Sequence, residues 1–216
     1  MRSEVIAQIL DKKIIAIVRG LPKEQIVPLA RALCAGGITL MEVTFNQAQP
    51  ASLVDTAAAI DAIWEACGES VCVGAGTVMT PQQLRLACDA GAQFIISPGA
   101  NPVVIRATRE MELVSLPGCM TPTECAAAHD AGADFIKVFP AGVLGPDYIK
   151  ALRAPLSHLK FLAVGGVDAQ NIPAFLRAGA LGFGVGGNLV DKERVAAGRF
   201  DEITAIAREY VNALNM

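Results

Sequence analysis

A lysine stands in the middle of one apolar run, Phe135-Ile136-Lys137-Val138-Phe139-Pro140, and a glutamate in the middle of another, Leu40-Met41-Glu42-Val43-Thr44. Ionisable side chains are seldom enclosed by apolar neighbours without a partner or a task. Desolvation lowers a lysine pKa from its ordinary value of about 10.4. The neutral amine is then a nucleophile that can form an imine with a carbonyl carbon. The alternative for Lys137 is an apolar stem lying on apolar surface with its head in water. A carboxylate in apolar surroundings has a raised pKa and can exchange protons near neutral pH, while a nearby ammonium draws that pKa back down. The alternative for Glu42 is a buried structural ion pair. If both runs are strands, alternation puts Phe135, Lys137 and Phe139 on one side of the first, and Leu40, Glu42 and Thr44 on one side of the second.

Other residues suit the binding of anions. Arg19 ends the run Ile14–Val18 and shares the parity of Ile15 and Ile17. Its planar fork fits phosphate or carboxylate. Two glycine-rich turns, Val164-Gly165-Gly166-Val167 and Gly184-Val185-Gly186-Gly187-Asn188, allow backbone N–H groups to approach an anion closely. The spacing of Gly182, Gly184 and Gly186 superficially suggests a dinucleotide fingerprint, but too little chain follows for the βαβ unit that motif requires. The small, turn-rich runs Gly74-Ala75-Gly76-Thr77-Val78 and Ser97-Pro98-Gly99-Ala100-Asn101-Pro102 have the character of loops that line a substrate.

Elements must place these groups together. Apparent strands fall at Ile14–Val18, Leu40–Thr44, Val71–Gly74, Phe94–Ser97, Leu113–Leu116, Phe135–Phe139, Phe161–Val164 and Leu181–Val185, with Ala-rich helical stretches between them. Pro22, Pro81, Pro102 and Pro122 stand near first turns, and Asn171 is an N-cap candidate. The triplets Ala35-Gly36-Gly37, Ala90-Gly91-Ala92, Ala131-Gly132-Ala133 and Ala178-Gly179-Ala180 repeat one helix exit, a left-handed glycine followed by a strand. Eight such units predict an α/β fold, a (β/α)₈ barrel with an N-terminal helix, over residues 1–216 as one domain; a doubly wound open sheet is the alternative. In a barrel, catalytic side chains belong at strand C-termini, and the loops after strands 7 and 8 commonly hold phosphate. Lys137, in the second half of its strand, faces that end.

Composition narrows the function classes. The chain has 216 residues, 53% hydrophobic and 18% charged, with a formal net charge of −3. That is a globular chain, and without a run of Lys or Arg it is not expected to bind nucleic acid. Its apolar stretches are strand-sized, so no membrane span is expected, and no signal-peptide pattern opens the chain; a cytoplasmic location follows as the default. Six cysteines without a C-x-x-C pair read as apolar fillers. The two histidines, His129 and His158, suggest no ligand cluster, so no metal is expected.

The order of Ile17-Val18-Arg19-Gly20, Glu42-Val43-Thr44, Gly74-Ala75-Gly76-Thr77-Val78, Ser97-Pro98-Gly99, Phe135 to Pro140 and Gly165-Gly166-Val167 resembles the 2-keto-3-deoxy-6-phosphogluconate (KDPG) and 4-hydroxy-2-oxoglutarate (KHG) aldolases, from Ile14 to about Tyr210. The resemblance implies a class I, Schiff-base aldolase without cofactor, typically a homotrimer, that acts on a small phosphorylated keto acid. It implies Lys137 as the imine-forming residue and Glu42 as a proton shuttle through water. It puts Thr77, Pro98 and Phe139 around the pyruvyl portion, and Arg19, Gly165 and Gly166 at the phosphate, joined there by Gly187. Two positions depart from the pattern. Asn46 stands where the phosphogluconate enzymes usually carry a carboxylate-binding arginine, as in the related phosphogalactonate aldolases. Asn188 stands where a phosphate-binding serine is frequent. The phosphogalactonate epimer is therefore the alternative substrate; a phosphate-binding epimerase or isomerase and a non-catalytic sugar-phosphate regulator are the rival functions.

Overall fold

Strands buried on both faces are written as nearly continuous apolar runs, and in this chain those runs curl into a closed parallel barrel. The computed structural model describes residues 2–49 and 52–215. Its strands are β1 (Ile14–Val18), β2 (Leu40–Thr44), β3 (Cys72–Gly76), β4 (Phe94–Ser97), β5 (Val114–Cys119), β6 (Ile136–Val138), β7 (Phe161–Val164) and β8 (Gly182–Val185). They pair in chain order, and β8 closes against β1. Helices alternate with the strands, and the helix Arg2–Lys12 precedes β1. The fold is the expected (β/α)₈ barrel. No helix among the described residues is long and apolar enough to cross a membrane.

Alternation along each strand divides the core into two layers. Ile14, Ala16, Val18, Met41, Val43 and Ile95 face outward and pack under the helices. Ile15, Leu40, Phe94, Ile96, Leu116, Phe135 and Leu162 fill the barrel, and Val5 and Ile9 of the first helix pack against them. The interior is thus filled low down, at the strand N-termini. Higher up, the inward positions are Glu42, Gly74, Gly76, Gly118, Lys137 and Gly184. A Cβ at Gly118 would meet the Pro98 carbonyl oxygen at 2.3 Å, and one at Gly184 would meet Val164 at 2.9 Å. Small residues in that layer open the barrel mouth.

Helix ends follow the sequence signals. Thr80, Asn101 and Thr121 cap helices whose first residues are Pro81, Pro102 and Pro122. Gly37, Gly91, Gly132 and Gly179 all have positive φ, as the repeated helix exit requires. Some boundaries differ from expectation. β3 continues to Gly76 because Ala75 and Gly76 pair with Val43 and Thr44. β5 continues through Pro117 and Gly118, which align with Ser97 and Lys137. β6 is shorter than predicted; Phe135 and Phe139 flank it.

Candidate active site

Lys137 lies in the middle of the three-residue strand β6, level with Gly118 on one side and Leu162 on the other. Its side chain rises into a cavity of about 770 Å³ at the C-terminal mouth of the barrel, a size suited to a small metabolite. Arg19, Glu42, Thr77, Pro98, Phe139, Gly165, Gly166, Gly187 and Asn188 line the same cavity. The barrel therefore gathers every predicted site residue but one around Lys137.

Lys137 is 8% exposed and Glu42 2%. Burial lowers the Lys137 pKa; the Glu42 charge draws it up, and Arg19 pushes it down. Burial raises the Glu42 pKa, and Lys137 and Arg19 draw it down. In both groups burial is the larger influence, so the amine loses its proton more readily, and the carboxyl holds one more readily, than either would in water. The Lys137 ammonium position lies 5.0 Å from the centre of the Phe139 ring, and Phe135 is fully buried below. Phenylalanine on both sides of the lysine, anticipated from strand parity, is what the fold provides; Phe139 is the partly open one, 41% exposed at the mouth.

Glu42 reaches its place because β3 carries glycine opposite it. A Cβ at Gly76 would stand 2.0 Å from Glu42 Oε1. Glu42 Oε2 is buried without a hydrogen-bond partner in the protein, so the carboxyl is held by packing and keeps an oxygen free for chemistry. Beside it, Thr77 has φ 55°. For a β-branched residue that conformation costs roughly 1–3 kcal/mol and persists only where its surroundings enforce it.

At the opposite side, Gly165 and Gly166 have successive positive φ values of 84° and 75°. The Gly165 carbonyl accepts from the Gly142 N–H at 2.7 Å, and the Gly166 carbonyl from Asn171 Nδ2 at 2.9 Å. Both donors lie outside the cavity lining. Across a trans peptide, the N–H groups of Gly166 and Val167 are turned away from those donors. The Gly186 carbonyl accepts from the Leu189 and Val190 N–H groups, each at 2.9 Å, which fixes the second glycine turn. Such paired turns are suited to an anion.

Asn46 is the exception. It lies outside this cavity, in an adjoining one of about 630 Å³ that also contains Gln47 and shares Arg19, Thr77 and Lys192. Its Oδ1 accepts from the Ala48 N–H at 3.0 Å, and its Nδ2 donates to Gln49 Oε1 at 3.2 Å. The amide serves its own loop.

A family model described as "Aldolase: KDPG and KHG aldolase" matches residues 5–206. The chain belongs to this family. It is an aldolase, a carbon–carbon lyase. It is 37% identical over 199 residues to a KHG/KDPG aldolase of Escherichia coli strain K12, covering 89% of this chain and 88% of that one. It is 33% identical over 202 residues to a 2-dehydro-3-deoxy-6-phosphogalactonate aldolase of the same strain, covering 93% and 96%. A KDPG aldolase structure from Legionella pneumophila, with pyruvate captured as a covalent carbinolamine, superposes with TM-score 0.84 at 28% identity, covering 96% of this chain and 97% of that one.

Several residues of this aldolase's site carried no sequence signal of their role. Lys192 lines both cavities, yet it stands in the charged run Asp191-Lys192-Glu193-Arg194, where nothing marks it off from its neighbours. Asn171, an N-cap candidate by type, makes no side-chain cap bond; it holds the first glycine turn instead.

Proposed function

We propose that this aldolase cleaves KDPG to pyruvate and D-glyceraldehyde 3-phosphate through a Schiff base on Lys137, with KHG, cleaved to pyruvate and glyoxylate, as a further substrate. One observation carries the reading: an enclosed lysine whose pKa is lowered by burial, with an enclosed carboxyl, Glu42, close enough for each charge to influence the other. The neutral Lys137 amine adds to the C2 ketone, and loss of water gives an iminium. Glu42, acting through a water molecule, takes the proton of the C4 hydroxyl. The C3–C4 bond breaks, its electron pair passes to the iminium, and the aldehyde departs. Protonation of the enamine at C3 and hydrolysis of the imine release pyruvate and restore the amine. In this reading the Gly165–Gly166 and Gly187–Asn188 turns hold the phosphate with Arg19, while Thr77, Pro98 and Phe139 surround the pyruvyl end. The proposed assembly is a homotrimer, supported by the resemblance to the family and by apolar side chains left exposed beyond β5 and β6, among them Met120 (48%) and Val143 (84%).

Asn46 favours a second reading of the substrate. Without an arginine at that position the site resembles phosphogalactonate aldolases, so the C4 epimer is a competing substrate. Pyruvate release from the two epimers, followed through lactate dehydrogenase, decides between them. The mechanism itself is tested by borohydride with pyruvate: a reduced adduct on Lys137 is expected by peptide mass spectrometry, and none in Lys137→Ala. An unlabelled Lys137, or a Lys137→Ala enzyme that turns over, removes the Schiff base from the account.

A further inference from the structure

Thr77 occupies a left-handed conformation at the edge of the cavity, and two glutamines span the turn that follows it. Gln47 Nε2 donates to the Thr77 carbonyl at 2.7 Å. Gln83 Nε2 donates to Gln47 Oε1 at 3.0 Å, and Gln83 Oε1 accepts from the Met79 N–H at 2.7 Å. The two ends of this chain are backbone groups of fixed polarity, an acceptor at residue 77 and a donor at residue 79. Each amide can therefore take only one orientation, and the relay carries no alternative pattern. The far side of the same peptide is also fixed, since the Val78 N–H donates to the Ile96 carbonyl at 3.1 Å. Gln83 is 4% exposed and additionally anchored by its own N–H on Thr80 Oγ1.

We propose that Gln47 and Gln83 are positioning residues that lock Thr77 into this conformation and thereby build the corner that takes the substrate's C1 carboxylate. The inference rests on the Schiff-base reading, because that reading sets the carboxylate one bond from the carbon joined to Lys137. Of the groups around that carbon, Pro98 and Phe139 offer no donor and Glu42 would repel a carboxylate. The glycine turns serve the other end of the substrate. Thr77, Arg19 and Lys192 remain, all on the boundary with the adjoining cavity; with Arg19 given to the phosphate, Thr77 is the one of them whose backbone the relay holds. The Asn46 amide is engaged in its own loop. Gln47, the next residue, ties that loop to Thr77.

The test measures borohydride trapping of pyruvate on Lys137 as a function of pyruvate concentration. In Gln47→Leu the half-saturating concentration is expected to rise about tenfold, equivalent to ~1.4 kcal/mol, with the maximal trapping rate within about twofold of the parent. Gln83→Glu keeps an acceptor for the Met79 N–H but cannot donate to Gln47. It is expected to reproduce the Gln47→Leu shift, and the double variant to add little to either. Gln47 is exposed, so its replacement leaves the fold intact, which thermal unfolding verifies. Unchanged half-saturation in both variants, or a fall confined to the maximal rate, overturns the clamp while the parent's adduct upholds the Schiff base. Absence of an adduct in the parent overturns the Schiff base and the clamp together.

Discussion

Replacing Gly76 by alanine tests whether the Glu42 carboxyl must stand where the barrel puts it. The added Cβ would lie 2.0 Å from Glu42 Oε1, 2.6 Å from Cδ and 2.9 Å from Cγ. Rotation of the carboxyl tip alone leaves Cγ too close, so the side chain has to withdraw from Cγ outward. Moving Oε1 from 2.0 Å to an ordinary contact of 3.4 Å is a displacement of about 1.4 Å, and misplacing a reacting group by ~1 Å costs on the order of 100-fold in rate. We therefore expect kcat for pyruvate release to fall about 100-fold. Overpacking of this kind costs about 1–3 kcal/mol of stability, a loss of several degrees in Tm for a chain of this size. Lys137 stands on another strand, so pyruvate should still be trapped on it. Adding Gly76→Ala to Glu42→Gln should cost little more, because the group being displaced has lost its function. The requirement for this placement of Glu42 fails if Gly76→Ala retains kcat within threefold of the parent. It fails equally if trapping disappears along with turnover, since that marks a general distortion and not a displaced carboxyl.

The charges around Lys137 make two opposed predictions. The Glu42 charge raises the lysine's pKa and Arg19 lowers it; hence Glu42→Gln should move the acid limb of the pyruvate-trapping profile to lower pH, and Arg19→Met should move it to higher pH. Limbs that stay in place or move together contradict the assigned electrostatics. A Cβ at Gly142 would meet Gly166 Cα and its carbonyl oxygen at 2.8 Å, a backbone that cannot yield by rotating a side chain. Gly142→Ala is thus expected to raise KM for the phosphorylated substrate about tenfold, ~1.4 kcal/mol, without altering the pyruvate dependence of trapping; equal losses in both would separate this contact from phosphate binding.

Much of this architecture is legible in the sequence because it rests on local signals. β-branched runs separated by glycine-terminated helices specify the barrel, and an ionisable residue inside an apolar run marks each of the two central groups. Which influence governs Glu42 and Lys137 is not legible, because burial depends on the whole barrel closing over them; the closed structure makes burial the larger in both. Strand ends were obscured where small residues carry pairing. Ala75-Gly76 belongs to a turn-rich run and Pro117-Gly118 lies beyond the expected strand end, yet both continue strands by pairing with their neighbours. The glutamine relay was hidden for a different reason. Gln47 and Gln83 are 36 positions apart, one in a loop and the other in the first turn of the helix Pro81–Asp89, and only the fold makes them neighbours.

The Asn46 position changes meaning once the loop is seen. By comparison with phosphogluconate aldolases, asparagine there reads as a carboxylate ligand that has lost its charge. In this chain the side chain is bonded within its loop: its oxygen accepts from the Ala48 N–H two residues on, and its nitrogen donates to Gln49, a turn of the kind short amide side chains make readily and arginine does not. That turn presents Gln47 toward β3, where it binds the Thr77 carbonyl. In the proposed reading, the loop that elsewhere brings a cation to the carboxylate here braces the residue beside it. Arg19 and Lys192 line both cavities and put positive charge at their boundary. Carboxylate recognition then depends on a backbone conformation held at a distance, which is why the concentration dependence of pyruvate trapping is the quantity most sensitive to it.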